Sequence, residues 1–254
     1  MTELALITLA SLLAGCIDAI VGGGGLILVP ALFATYPTAT PATLFGTNKG
    51  AAIWGTMLAA WRYARRVELR WGTWLPAIGA ALAGSLLGAW AVTTIDARPL
   101  RIALPFVLLA LLLYTLARKD MGQSHAPRHA PGRERLLACL VGLAIGFYDG
   151  LFGPGTGSFF VFLFVRLLGF DFLHASAAAK LMNTATNASA LALFAATGNI
   201  WWGVALLLAA ANMVGSVIGT HLALKKGAGF VRWVFIGVVA LLIGKTGLDA
   251  WRLI

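Results

Sequence analysis

The chain has 254 residues, of which 60% are hydrophobic and 11% charged, with a formal net charge of +10. A water-soluble domain is about half apolar and about a quarter charged, so water is excluded as the main solvent of this chain. The basic residues sit in short stretches beside apolar runs, the positive-inside pattern of a membrane protein. They leave no aromatic-plus-basic surface once the spans are removed, so nucleic acid is not an expected partner.

In chain order, the first apolar run covers residues 3–20 and carries Glu3, with no Lys or Arg ahead of it. Lacking the basic leader of a cleaved signal, it is expected to stay as a membrane helix. Four glycines, Gly22, Gly23, Gly24 and Gly25, follow. Each Gly costs a helix interior about 1 kcal/mol relative to Ala, so four together predict an unwound segment, with a short apolar helix restarting at Leu26. Spans of about 20 residues, the length that crosses a bilayer core of about 30 Å, are then expected over 42–62, 73–94 and 99–117. The stretch 119–135, rich in Pro, Gly and charge, reads as a solvated linker. Its His125 and His129, without further ligands, make a poor metal site. Beyond it come a helix over 135–151, a second break at Gly153-Pro154-Gly155-Thr156-Gly157, a helix restarting near Ser158, and spans over 174–196, 202–224 and 230–250. Cys16 and Cys139 fall inside apolar helices without metal or disulfide spacing and read as small buried residues.

The second half repeats the first. A shift of 131 positions lays Gly15 on Gly146, Asp18 on Asp149, Gly22 on Gly153, Gly24 on Gly155, Lys49 on Lys180, Trp71 on Trp202, Gly84 on Gly215, Gly88 on Gly219 and Arg101 on Arg232 without a gap. The expected organisation is a first transmembrane repeat over 1–120, a cytoplasmic linker over 121–133 and a second repeat over 134–254. The basic loops do not correspond: Arg62, Arg65, Arg66 and Arg70 have an uncharged counterpart, Gly198-Asn199-Ile200-Trp201, whereas Lys225, Lys226 and Arg232 lie one loop later. If basic loops face the cytoplasm, the repeats insert upside down relative to one another, with an odd number of crossings each: five, or three plus a re-entrant hairpin. Arg98 and Arg101, offset by Asp96, are the exception, and a parallel four-plus-four arrangement ranks second. The expected fold class is thus all-α: a polytopic integral membrane protein of two tandem repeats in inverted topology, with glycine-broken helices.

Inverted repeats with helices broken at matching positions place a substrate site near the bilayer midplane. Backbone freed inside a bilayer must be paired or line a wet cavity, and a restarting helix offers unpaired N–H groups and a positive dipole end, a seat for an anion. Ionisable residues cost about 3 kcal/mol or more at that depth unless paired or hydrated. Asp18 and Asp149 precede the breaks; Lys49 and Lys180 follow them. Two readings stand side by side for these four: structural Asp–Lys pairing, and a site in which the lysines attract an anion while an aspartate carries a coupling proton. Thr47 and Asn48 flank Lys49; Asn183, Thr184, Thr186 and Asn187 follow Lys180, with Asn183 and Asn187 on its helix face. The candidate substrate-binding residues are therefore Gly22 to Gly25, Thr47, Asn48, Lys49, Gly153, Gly155, Thr156, Lys180, Asn183 and Asn187, with Asp18 and Asp149 for the coupling ion. Asn212 and His221 read as packing or pathway residues. Gly84, Gly88, Gly215 and Gly219 read as close helix packing.

The segment Asp18-Ala-Ile-Val-Gly-Gly-Gly-Gly-Leu-Ile-Leu-Val-Pro30, then Phe45-Gly-Thr-Asn-Lys49 leading to Ala60-Trp-Arg-Tyr63, resembles the first half of the TauE/SafE-type family, also called the sulfite exporter or toluene-sulfonate uptake permease family. Ala179-Lys-Leu-Met-Asn183 with Gly198-Asn-Ile-Trp201 resembles the second half, and the likeness covers nearly the whole chain. The resemblance implies a multi-pass permease of the bacterial inner membrane acting on sulfur-containing anions such as sulfite, sulfonates or sulfoacetate. Pro154 and Thr156 depart from an all-glycine break, so the two half-sites cannot be equivalent. The expected function is secondary transport of a small anion by alternating access. A metal or other cation permease through Asp18 and Asp149, and a passive anion channel using the lysines as a selectivity ring, are the alternatives. No cofactor is expected, and no Ser/His/Asp constellation in the spans suggests an enzyme.

Overall fold

The computed structural model describes residues 2–91, Phe106, Leu109, Leu113, 122–151, 153 and 155–251. The expected span over 99–117, with the charges at Asp96, Arg98 and Arg101, lies outside the described residues, as do Pro154 and the first residues of the linker. Among the described residues there are helices and no strands. They are α1 (Thr2–Val21), α2 (Gly25–Thr35), α3 (Pro41–Ala64), α4 (Trp71–Ala91), α5 (Pro131–Leu151), α6 (Thr156–Leu163), α7 (Phe172–Ala196) and α8 (Trp202–Trp251). A π-helical turn, Phe164–Leu168, extends α6.

Local chemistry sets these limits. Thr40 caps α3 by accepting from the Thr43 N–H at 3.3 Å, with Pro41 in the first turn, where its missing N–H costs nothing. Asp171 caps α7 through the His174 N–H at 2.7 Å. Helix α5 begins at Pro131, ahead of the expected 135. The expected spans 202–224 and 230–250 form one helical stretch broken at Gly227, whose φ of 74° and ψ of −169° are not helical.

Helix directions follow from the packing. Residues Leu28 and Leu32 of α2 share a buried cluster with Ile7 and Ala14 of α1, and Gly24 lies against the Ala14 carbonyl, so α2 doubles back along α1. Tyr63, near the end of α3, donates to the Ala19 carbonyl at 3.0 Å, while Leu44, near its start, joins the cluster of Ile7, so α3 runs parallel to α1. Helix α4 returns.

Between the repeats, Gly142, Gly146 and Gly150 of α5 meet Ala77, Ala81 and Ser85 of α4 in ascending order, a parallel contact. Gly84 and Gly88 abut the Leu143 and Phe147 carbonyls from the other side. Helices α1 and α8 repeat this arrangement, Gly215 against Leu12 and Gly219 against Cys16. Glycine admits such backbone approach, the van der Waals contact on which helix association in lipid depends. At the centre α3 and α7 cross antiparallel: Gly46 meets Asn199, Gly50 meets Leu191, and Thr56 pairs with Asn187. Since α3 and α7 are equivalent elements, the two halves point in opposite directions.

Among the described residues, three helical stretches, Glu3–Val21, Trp71–Ala91 and Trp202–Leu241, are long and apolar enough to cross a membrane, the more polar helices α3 and α7 not being among them; Gly25–Thr35 and Thr156–Leu168 are shorter apolar helices. Leu6, Leu9, Leu75, Leu87, Trp90, Leu206, Trp233 and Leu241 are exposed, as lipid-facing side chains are. Arg62, Arg65 and Arg66 share a surface hollow with Leu224, next to Lys225 and Lys226. Arg70 meets Glu134, at the head of α5, at 3.2 Å. The basic loops of both repeats and the linker therefore gather at one end of the molecule.

The linker is largely exposed, as a solvated loop is, yet its backbone is docked. Backbone hydrogen bonds of 3.0 Å from Ala126 to Gly169 and from Arg128 to Leu168, and of 2.8 Å from Phe172 to Gly122, lay it along the segment joining α6 to α7.

Candidate functional site

The two glycine breaks meet back to back. Gly22 has φ of 72°, a left-handed conformation suited to glycine, and a Cβ there would strike the backbone of Gly157. Ser158, in the first turn of α6, donates to the Gly22 carbonyl at 2.5 Å. A backbone group freed by the first break is thus satisfied by the second, as a bilayer interior requires.

Around this crossing the charged residues pair across the repeats. Lys49 on α3 reaches Asp149 on α5 at 2.7 Å and donates to Asn187 Oδ1 on α7 at 3.0 Å. Lys180 on α7 reaches Asp18 Oδ2 on α1 at 3.1 Å and also donates to the Asp18 carbonyl. Each lysine therefore takes the aspartate of the other repeat, an exchange that follows from the antiparallel crossing of α3 and α7.

The pairs are not equivalent. The Lys180 side chain is 0% exposed, sealed behind Asp18, whereas Lys49 is 12% exposed and faces a cavity of about 70 Å³. That cavity is bounded by both breaks and both aspartates, with Asn48, Asn183, Asn187, Asn212, Thr56 and Thr156 contributing polar atoms. A water's share of liquid volume is about 30 Å³, so the space suits two waters or one small ion. The Oδ1 atoms of Asn48 and Asn183 are buried without a hydrogen-bond partner.

Both restarting helix ends already hold a carboxylate. The Gly23 N–H, at the entry to α2, donates to Asp18 Oδ1 at 3.3 Å, and Thr156, at the head of α6, donates to Asp149 Oδ1 at 2.7 Å. The positive ends expected to seat an anion are therefore occupied by the chain's own aspartates, and an incoming anion must displace or neutralise one.

The cavity brings together Gly23, Gly24, Gly25, Asn48, Lys49, Gly153, Gly155, Thr156, Asn183 and Asn187, with Asp18 and Asp149. Three candidate residues stand elsewhere. Gly22 forms the crossing rather than the wall, and Lys180 is walled off by Asp18. Thr47 accepts from the Trp201 N–H at 3.1 Å, tying α3 to the start of α8. Thr184 and Thr186 bond back to their own helix at the Lys180 and Asn183 carbonyls. Two cavity residues with polar side chains were not among the sequence candidates. Thr56, one helical turn beyond Ala52, donates to Asp18 Oδ2 at 3.2 Å, and Asn212, read as packing or pathway, both lines the cavity and donates to Ser11 at 3.2 Å. Thr56 lies seven residues, about two turns, along α3 from Lys49 and so shares its face, a spacing that could have flagged it.

A bundle of helices with broken segments, paired buried charges and a polar cavity between two oppositely directed halves defines a multi-pass membrane transport protein. The chain belongs to the sulfite exporter TauE/SafE family, whose model matches residues 7–246. It is 38% identical over 242 residues to a Sinorhizobium protein named probable membrane transporter protein ORF9, covering 94% of this chain and 91% of that one. It is 35% identical over 240 residues to the probable membrane transporter protein YfcA of Escherichia coli K12, covering 94% and 88%. A probable membrane transporter protein of Haemophilus influenzae is 36% identical over 252 residues, covering 97% and 95%. No solved structure matches the chain.

Proposed function

We propose that this protein is a secondary transporter of a small sulfur-containing anion, sulfite or a short sulfonate, working in a bacterial inner membrane with the linker on the cytoplasmic side. The observation that carries the reading is the inequality of the two ion pairs. Lys49 is the cation at the cavity, whereas Lys180 is buried behind its aspartate. Lys49 is the anion ligand in this account, Asp149 its resting counter-ion, and the pair of Lys180 with Asp18 a structural pin between the repeats.

A proton on Asp149 cancels its charge and frees both Lys49 and the head of α6 for the anion, so that proton and anion load together. Loss of the proton restores the Lys49–Asp149 pair and expels the anion. Asn48 and Asn183 add donors when their amides turn the NH₂ group inward, an orientation fixed by the ligand present. The gathering of basic loops at one end supports the cytoplasmic placement of the linker.

A second reading, cation transport, has a specific observation in its favour: two carboxylates and the unpartnered Oδ1 atoms of Asn48 and Asn183 border or face the same space. Ligand-induced shifts in melting temperature separate the two. The anion reading predicts stabilisation of detergent-purified protein by sulfite and loss of that shift in Lys49→Ala. Stabilisation by a metal or alkali cation that survives Lys49→Ala and vanishes in Asp149→Asn would favour the cation.

A further inference from the structure

The transport account makes no use of a cluster at the basic end, where the docked linker meets the head of α7. The His125 ring lies on the His174 ring, with centroids 3.8 Å apart and planes inclined by 25°. His174 Nδ1 is 2.8 Å from Asp171 Oδ2. One ligand atom from each of His125, Asp171 and His174 lies within 4.8 Å of the others. These residues come from two separate stretches of chain, and the backbone bonds that dock the linker bring them together. His129 takes a different role, its Nε2 lying 3.0 Å from the Leu167 carbonyl.

We infer that His125, His174 and Asp171 form a site for a divalent transition metal of the zinc class, which fastens the inter-repeat linker to the helix carrying Lys180, Asn183 and Asn187.

The donor set is the first argument. Two imidazole nitrogens with one carboxylate suit Zn²⁺, Co²⁺ or Ni²⁺ and are poor for Mg²⁺ or Ca²⁺, and three protein ligands leave a position for water. Orientation is the second, because an imidazole whose Nδ1 faces a carboxylate presents Nε2 to a metal, with Asp171 either joining the shell or holding the ring. The Asp171 carboxylate also accepts from the His174 N–H at 2.7 Å, which fixes it beside that imidazole. The rings now lie face to face, so metal capture requires His125, on its exposed loop, to turn until both nitrogens point at one centre.

The test uses full-length protein carrying no histidine tag, stripped of metal and titrated with CoCl₂ and ZnCl₂. Wild type is expected to bind one ion per chain, with a visible cobalt spectrum that zinc abolishes. His125→Ala and His174→Ala should each weaken binding by about tenfold or more, while His129→Ala binds as wild type. The linker around Ala126 should become more resistant to proteolysis when zinc is present. Absence of stoichiometric binding by folded wild-type protein would overturn the inference. So would binding unchanged in both His125→Ala and His174→Ala. Neither result depends on what the cavity transports.

Discussion

Neutralising Lys180 should damage the fold, and neutralising Lys49 should damage the function. The Lys180 ammonium is 0% exposed and bonds both the carboxylate and the carbonyl of Asp18. In Lys180→Met, Asp18, 18% exposed at the cavity, loses its buried cation and keeps the Gly23 N–H at 3.3 Å and Thr56 at 3.2 Å. Removing one partner of a buried pair costs about 3–5 kcal/mol, because the other charge is left uncompensated. For a protein of this size 1 kcal/mol moves the melting temperature by about 2–4 °C, so a drop of about 10 °C is expected. Lys49→Met removes a pair that faces the cavity, where Asp149 retains its 2.7 Å bond from Thr156 and gains water. The pair is 12% and 5% exposed rather than a surface one, so the loss should still cost about 1–3 kcal/mol, less than in Lys180→Met because the cavity can hydrate Asp149. Adding Asp18→Asn to Lys180→Met removes the stranded charge while keeping an acceptor for Gly23, and should recover most of the lost stability. The assay is thermal unfolding of the four proteins in one detergent. Equal destabilisation by the two lysine substitutions, or no recovery in the double variant, would refute the argument that Lys180 is a structural pin.

Other consequences follow from the same geometry. Gly22→Ala sets a Cβ against the Gly157 backbone at a φ of 72° and should cost at least about 1–2 kcal/mol for the left-handed conformation alone, read as lower yield of folded protein. Thr156→Ala removes the hydroxyl that holds Asp149 and should reduce uptake without preventing folding, whereas Thr156→Ser restores it. Docking of the linker should weaken on acidification. Partial burial, then His174, hold His125 below its ordinary pKa, so the docked state binds fewer protons than the free one, and the stability present above about 6.5 is lost as pH falls from there through the lowered value. Asp171, also held low, adds a loss only in the carboxylate range. Faster hydrogen exchange at Ala126 and Arg128 at pH 5.5 than at pH 7.5, after correction for intrinsic rates, is the readout.

Much of the architecture was legible because bilayer physics leaves few options. Apolar length gave the membrane-long stretches of α1, α4 and α8, and the glycine runs gave the breaks, while the span expected over 99–117 lies outside the described residues. The glycines expected to serve close packing, Gly84, Gly88, Gly215 and Gly219, sit against neighbouring backbone. The site was legible in its residue types but not in its pairing. A sequence match places Lys49 and Lys180 on equal footing, and only the crossing of α3 with α7 gives each the other repeat's aspartate and leaves one of them wet. Thr47 looked like a neighbour of Lys49, yet the turn of α3 directs it to Trp201. His125 is exposed as a loop residue is, but its neighbours Asp171 and His174 could not be read from the linker because they lie far along the chain and reach it through backbone docking.

The most direct test of the account is uptake of radiolabelled sulfite and a small sulfonate into proteoliposomes, with and without an imposed pH gradient, comparing wild type with Lys49→Ala. The account predicts saturable uptake of one of the two anions, driven by an acidic exterior and abolished in Lys49→Ala. Uptake undiminished in Lys49→Ala, or none of either anion by folded wild-type protein under any gradient, would contradict it.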